Sequence, residues 1–112
     1  MNMFNKEKFH NHLALTLGYE RIIKNKGIVL KVDYTSSNTP KVIIEFSCDN
    51  LTIVYNASDE PKKVLKEQIS SEQWEKIEVL KMKHEVTYIV DAIYQSYLES
   101  MNDRFPVFSV QY

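Results

Sequence analysis

From Ser70 to Asn102 the chain contains almost nothing that would interrupt a helix. Ser70, with Gln73 three residues later, is a capping-box pattern that marks where a helix begins. Apolar residues then recur at helical spacing and form two rows, namely Trp74, Ile77 and Leu80, followed by Met82, Val86, Ile89, Val90, Ile93, Tyr97 and Met101. The sequence therefore predicts a long C-terminal helix, which constrains how the other residues can pack.

A continuous helix over residues 70–102 would be long for the domain that contains it. The 112 residues of the chain are typical of a single domain, 1–112. Such a domain has a diameter of roughly 35 Å. The uninterrupted helix would measure about 50 Å. We therefore expect it either to break near residues 83–85 or to extend beyond its own core.

Three strands are predicted before this helix. Apolar and polar residues alternate over Ile28–Tyr34, Lys41–Cys48 and Leu51–Asn56. Residues 35–40 have the composition of a turn, and Asp49-Asn50 is short enough to close a hairpin. The pattern predicts a three-stranded antiparallel β-meander with one apolar face.

A helix is predicted over residues 5–24, where Phe9, Leu13 and Leu17 recur at intervals of four. Residues 62–69 fit either a short helix or a fourth strand, and we favour an extended or irregular segment because a clear helix start follows it. The C-terminal residues Phe108, Val110 and Tyr112 alternate in the manner of an additional edge strand. The predicted class is α+β, with an N-terminal helix, the meander and the long C-terminal helix.

The charge of the chain disfavours several classes of partner. Its 14 basic and 15 acidic residues nearly cancel, so no overall field attracts nucleic acid or an anionic membrane. Only Arg21 and Arg104 are arginines, which disfavours sequence-specific nucleic-acid binding. No apolar run approaches the roughly 20 residues of a membrane span. Without a signal-peptide pattern, the single cysteine, Cys48, favours the reducing cytoplasm.

Residues capable of catalysis or metal binding are poorly arranged. His10 and His12 would diverge by about 200° around a helix, and His84 is distant in sequence. Cys48 falls on the apolar face of its predicted strand, and Asp91 is expected on the solvent side of its helix. Two isolated glycines cannot form a phosphate-binding loop. We therefore expect no catalytic residue, metal or cofactor.

Tyrosines suggest a different role, because seven are present and Tyr88, Tyr94 and Tyr97 lie within ten residues of one another. Tyrosine suits surfaces where one end of a side chain is buried and the other is wet, either at the rim of a core or in a protein interface. The residues predicted to bind a partner, either a second copy or a host protein, are Ile93, Tyr94, Tyr97, Met101, Phe105, Phe108 and Tyr112.

These observations favour a non-enzymatic protein-binding module over an enzyme. The Lys-, Asn- and Ile-rich composition is typical of an AT-rich genome, and with the small size it suggests an accessory or inhibitor protein encoded by a phage or mobile element. The alternative is a subunit of an oligomeric enzyme or small-ligand-binding protein whose site forms only on assembly. Retention of a small molecule on purification would favour the alternative, and a stable complex with one host protein would favour the module.

Overall fold

Helices and one antiparallel sheet form the structure, a computed structural model that describes residues 4–17, 27–35, 39–47 and 50–101. In chain order the elements are α1 (Lys6–Leu17), β1 (Ile28–Asp33), β2 (Lys41–Phe46), β3 (Thr52–Asn56), the single turn α2 (Pro61–Lys63) continued by a π-helix (Val64–Gln68), α3 (Ser71–Val79) and α4 (Lys83–Met101). The predicted α+β class is confirmed. The C-terminal edge strand predicted from residues 108–112 lies outside the described residues.

The sheet is a meander with strand order β1-β2-β3, and both strand pairs are antiparallel, as predicted. Leu30 pairs with Ile44 across β1 and β2, and Ile44 pairs with Ile53 across β2 and β3. All three side chains are buried, whereas the alternate positions face outward. The period-two pattern of the sequence therefore identified the inner face correctly.

One hydrophobic core joins the inner face of the sheet to the helices. Phe9, Leu13 and Leu17 of α1 are all buried in it, together with Val86 and Ile93 of α4. Burying each such side chain contributes about 1.5–3 kcal/mol relative to its exposure to water. The predicted N-terminal helix is confirmed over Lys6–Leu17, and its predicted continuation to residue 24 lies outside the described residues.

Helices α1 and α4 run antiparallel in contact with each other. The backbone N–H of Asn5 donates to the carbonyl of Ser100 at 3.2 Å, and the hydroxyl of Tyr88 donates to the carbonyl of Thr16 at 2.8 Å. Small side chains at intervals of four, all of them buried, lie along α4: Ala92, Ser96 and Ser100. Small residues at the contact let two helices approach closely.

The segment 62–69, predicted to be extended or irregular, is helical in the structure. Pro61 begins α2 at a position where proline is well tolerated. The N–H of Ile69 then donates to the carbonyl of Val64 at 3.1 Å, an i to i+5 bond of π type. In an α-helix, residues five apart differ by about 140° around the axis. The π-helical turn therefore allows Val64 and Ile69 both to be buried in the core.

The long C-terminal helix is broken at Leu80–Met82, slightly before the residues 83–85 at which a break was expected. Lys81 has a left-handed backbone with φ of 59°. Its N–H donates to the carbonyl of Glu78, and the N–H of Met82 donates to the carbonyl of Ile77. This pair of bonds is a Schellman motif, with lysine at the position that usually holds glycine. The break divides the segment into two helices, so the continuous 50 Å helix does not form.

Candidate functional site

The residues predicted to bind a partner are distributed between the core and the surface. Ile93 is fully buried in the core, so its side chain serves packing within the chain. Tyr94, Tyr97 and Met101 are half-buried on α4 and have atoms at the surface. The remaining predicted residues, Phe105, Phe108 and Tyr112, lie outside the described residues. Among the described residues, the accessible surface of the predicted site therefore consists of side chains from the C-terminal half of α4.

Tyr97 belongs to a group of four rings, here called the aromatic cluster, formed by Phe4, Phe9, Tyr34 and Tyr97. Its ring stacks on that of Phe4 with centroids 6.1 Å apart and an interplanar angle of 19°. Phe4 also contacts Phe9 and Tyr34, at centroid distances of 5.5 and 6.2 Å. Phe9 is buried, whereas the other three rings are half-buried and reach solvent. The cluster thus joins the chain before α1, the end of β1 and the C-terminal half of α4.

A row of apolar side chains continues from the aromatic cluster along α4. Tyr94, Leu98 and Met101, here called the α4 flank, follow the i, i+4, i+7 spacing of one helix face. Leu98 is 44% exposed, and the other two are half-buried. Tyr97 lies next to Tyr94 and Met101 on the helix surface, three and four residues away. The flank and the cluster therefore form one continuous apolar and aromatic surface.

The charges around this surface have opposite signs at its two sides. The ammonium of Lys6 lies 4.6 Å above the ring of Tyr34, on the side that α1 forms. On α4, the exposed carboxylate of Asp91 lies on the same face as Tyr94 and Leu98, three and seven residues earlier. The last turn of α4 carries no basic residue, so the negative end of its helix dipole is not offset from within the helix.

An open groove of about 630 Å³ adjoins the aromatic cluster, and it is lined by Phe4, Asn5, Lys6, Glu7, His10 and Asn11. Its walls come from the start of α1, where the side chain of Asn5 accepts a hydrogen bond from the N–H of Lys8. A second, polar groove of about 440 Å³ lies between the β2–β3 turn and the start of α3. There the Ser70 capping box predicted from the sequence is formed and occupies helix donors.

A serine and a histidine are hydrogen-bonded between α1 and α4, but their surroundings do not fit a nucleophile. Nδ1 of His12 lies 2.9 Å from Oγ of Ser96, and Oγ1 of Thr16 lies 3.3 Å from the same nitrogen. Ser96 is fully buried, so its hydroxyl cannot reach a substrate. A nucleophilic pair needs an accessible hydroxyl and a third group that orients the base. The pair holds the two helices together.

Histidines and carboxylates are dispersed over the part of the chain that the structure describes. No group of three or more of His, Cys, Asp or Glu there could hold a metal ion. His10 and His84 are exposed, on α1 and α4 respectively, and Cys48 lies outside the described residues. Asp91 is exposed, as predicted. Within the same residues, none of the helices combines the length and apolarity that a bilayer span requires.

Three residues of this surface were not assigned to it from the sequence. Phe4 precedes the first predicted helix, Tyr34 ends a predicted strand, and Leu98 lies outside the main apolar row of α4. Only for Leu98 does the sequence indicate a place on this surface, because a residue four positions from Tyr94 lies on the same helix face. The meeting of Phe4 with Tyr34 depends on how α1 packs against the sheet.

No protein-family model, curated protein or solved structure matches this chain. Its function is therefore inferred from the residues and geometry described above.

Proposed function

We propose that this chain is a non-enzymatic protein-binding module that holds a partner protein on the α4 flank and the aromatic cluster. The observation that carries the proposal is the aromatic cluster, in which the half-buried rings of Phe4, Tyr34 and Tyr97 lie together. Helical spacing places the exposed Leu98 beside it, on the face that Tyr94 and Met101 share next to Tyr97. Aromatic side chains offer large contact areas and lose little rotamer freedom, and they dominate protein interfaces for that reason.

The proposed partner presents an amphipathic helix with a lysine or arginine beside its apolar row. The i, i+4, i+7 spacing of Tyr94, Leu98 and Met101 suits contact with another helix. The carboxylate of Asp91 lies on the same face, and no lysine or arginine follows Lys83 in α4. A basic side chain on the partner would complement this carboxylate. The negative end of the helix dipole lies ten residues further along α4, about 15 Å away, and would be complemented by a second basic group.

The biological setting is also a proposal. An accessory or inhibitor protein of a phage or mobile element, acting on a host protein in the cytoplasm, is supported by the small size of the chain, by its composition and by the single cysteine, Cys48. The proposed interaction does not depend on this setting, because it rests on α4 and the aromatic cluster alone.

Two exposed leucines on different helices allow a matched test. Leu98 lies on the α4 flank, whereas Leu15 lies on α1 and is 85% exposed. Leu98→Glu and Leu15→Glu introduce the same charge at solvent-facing helical positions, so we expect both variants to fold like the unaltered protein. The proteins retained from cell extract are compared among the three forms. Binding of the purified partner, and of a peptide covering its basic helix, is then measured by calorimetry.

The proposal predicts that a partner is held by the unaltered protein and by Leu15→Glu, but lost by Leu98→Glu. Equal retention by both variants would contradict the assignment of the surface. Equal retention, together with a small molecule that copurifies stoichiometrically with the protein, would favour the alternative of a ligand-binding subunit. In that case the groove beside Phe4 and Lys6 is the cavity to examine.

A further inference from the structure

Strand β1 forms one edge of the sheet, and its hydrogen bonds to β2 show which of its backbone groups point outward. Gly27 immediately precedes β1 and Ser47 immediately follows β2, and the N–H of Ser47 donates to the carbonyl of Gly27 at 2.8 Å. This bond continues the β1–β2 register with a hydrogen-bonded pair. Because such pairs alternate in antiparallel sheets, the N–H and C=O groups of Ile28, Leu30 and Val32 point away from β2. Among the described residues, no strand pairs with that edge.

The charged side chains of β1 do not block this edge. An edge lysine commonly prevents further strand pairing, but Nζ of Lys31 lies 3.2 Å from Oε1 of Glu45 on the neighbouring strand. Asp33 lies opposite Lys41 in the ladder, and its side chain accepts a hydrogen bond from the N–H of Thr35. The outer face of β1 thus carries one cation and one anion, two residues apart.

We propose that a second copy of this chain pairs with β1 through a two-fold axis at Val32, giving a continuous six-stranded antiparallel sheet. In this register Val32 lies opposite the partner's Val32, so the outward N–H and C=O groups of both residues hydrogen-bond across the axis. Lys31 then lies opposite the partner's Asp33, and the same contact is repeated by symmetry. The proposal goes beyond the proposed function. It rests on the edge of β1 rather than on the α4 flank, and the two surfaces meet at Tyr34, which belongs to the aromatic cluster and lies opposite the partner's Leu30 in this register.

Charge complementarity selects this register over its neighbours. An axis at Lys31 would place two lysines directly opposite each other, which destabilises a strand pair. An axis at Leu30 would place Lys31 opposite the partner's Val29 and leave the charges unmatched. Only the axis at Val32 opposes Lys31 and Asp33, at positions where cross-strand Cβ atoms lie about 4.5–5.5 Å apart. The side-chain charges then alternate in sign across three strands, in the order Lys41, Asp33 and the partner's Lys31.

Charge reversal at the two positions tests the register. Lys31→Asp gives two aspartates in each copy, so we expect its dimer to be lost through like-charge contacts. Asp33→Lys gives two lysines, with the same expected result. When the two variants are mixed, each aspartate meets a lysine, and a heterodimer should form. Lys62→Asp, which makes the same charge change at an exposed residue of α2, should remain dimeric like the unaltered protein.

Sedimentation equilibrium over a wide range of protein concentration measures each state, and circular dichroism checks the fold of each variant. Val32→Pro serves where a charge variant does not fold, because the N–H that it removes points outward and proline is tolerated on edge strands. It also replaces a half-buried side chain, so circular dichroism checks its fold as well. A monomeric Val32→Pro supports the proposal. A monomeric unaltered protein at every concentration, charge variants that dimerise like it, or a mixture that stays monomeric would each overturn the proposal.

Discussion

His12 and Ser96 are 84 residues apart in the sequence, yet Nδ1 of His12 lies 2.9 Å from the hydroxyl oxygen of Ser96. The contact lies where α4 presents its buried small side chains to α1. It links α1 and α4 through their side chains, in addition to the hydrogen bonds of Asn5 with Ser100 and of Tyr88 with Thr16, and Thr16 adds a second oxygen near the same nitrogen. The interface therefore depends on both the size and the polarity of the residue at position 96.

Substitutions at Ser96 should separate these two contributions. Ser96→Ala removes the hydroxyl but keeps the small volume, and we expect the free energy of unfolding to fall by about 1 kcal/mol. Ser96→Leu also forces the helices apart, and such overpacking adds about 1–3 kcal/mol. Urea denaturation followed by circular dichroism measures both. Equal midpoints for the two variants would mean that α1 does not approach α4 closely at this residue.

Tyr55 offers a test of a buried polar group. Its hydroxyl is buried, and the described part of the chain offers it no hydrogen-bond partner. Burial, and next the negative charge of Asp59, raise the pKa of the Tyr55 phenol well above its usual range. Leaving such a hydroxyl unpaired costs about 1–3 kcal/mol, so Tyr55→Phe should leave the free energy of unfolding unchanged or increase it.

The matched control for Tyr55 is Tyr88→Phe, because the hydroxyl of Tyr88 donates to the carbonyl of Thr16 at 2.8 Å. The free energy of unfolding of this variant should fall by about 1 kcal/mol in the same urea experiment. If Tyr55→Phe lost as much as Tyr88→Phe, the Tyr55 hydroxyl would have a partner in solution.

Asp33 should titrate abnormally. Hydrogen bonds from Thr35, first from its backbone N–H, hold the pKa of the Asp33 carboxyl below its usual range. Because the pKa is lower in the folded state, the carboxylate's contribution to stability is present above the unfolded value of about 3.9. It is lost as the pH falls through the folded pKa. In a Thr35→Pro variant, which lacks this N–H, an NMR titration should show the pKa of Asp33 moving up towards the ordinary value. An unchanged pKa would contradict the assigned cause.

The break between α3 and α4 should respond to the backbone preference of residue 81. Lys81 holds a left-handed conformation, with φ of 59°, which costs an L-amino acid about 1–2 kcal/mol. Glycine has no such penalty, so Lys81→Gly should raise the thermal midpoint. Lys81→Val, with a branched Cβ, should lower it. If both variants lowered the midpoint equally, the Schellman motif at this position would not persist in solution.

The strands could be predicted because one physical rule determines them. Alternate side chains point to opposite faces, and the buried residues Val42, Ile44 and Phe46 follow that rule along β2. The start of α3 was predictable for a similar local reason, since Ser70 and Gln73 satisfy each other's backbone groups. Each of these features depends on residues close together in sequence.

The features that were mispredicted or missed depend on tertiary contacts or on unusual local geometry. Pro61 was compatible with a helix start, but the π-helical bond from Ile69 to Val64 becomes favourable only when both side chains face a core. Lysine at position 81 gives no sequence signal of a left-handed conformation. The predicted partner-binding residue Ile93 proved to be buried, because its spacing fits core and surface rows equally well.

The single tryptophan of the chain is attached to the π-helix, because the indole Nε1–H of Trp74 donates to the carbonyl of Leu65 at 2.8 Å. Its fluorescence is therefore a local optical reporter of the contact between the π-helix and α3. Circular dichroism, in contrast, averages over all the helices and strands. Comparing the two signals during denaturation would reveal whether this corner detaches before the sheet and the α1–α4 pair unfold, without any added label.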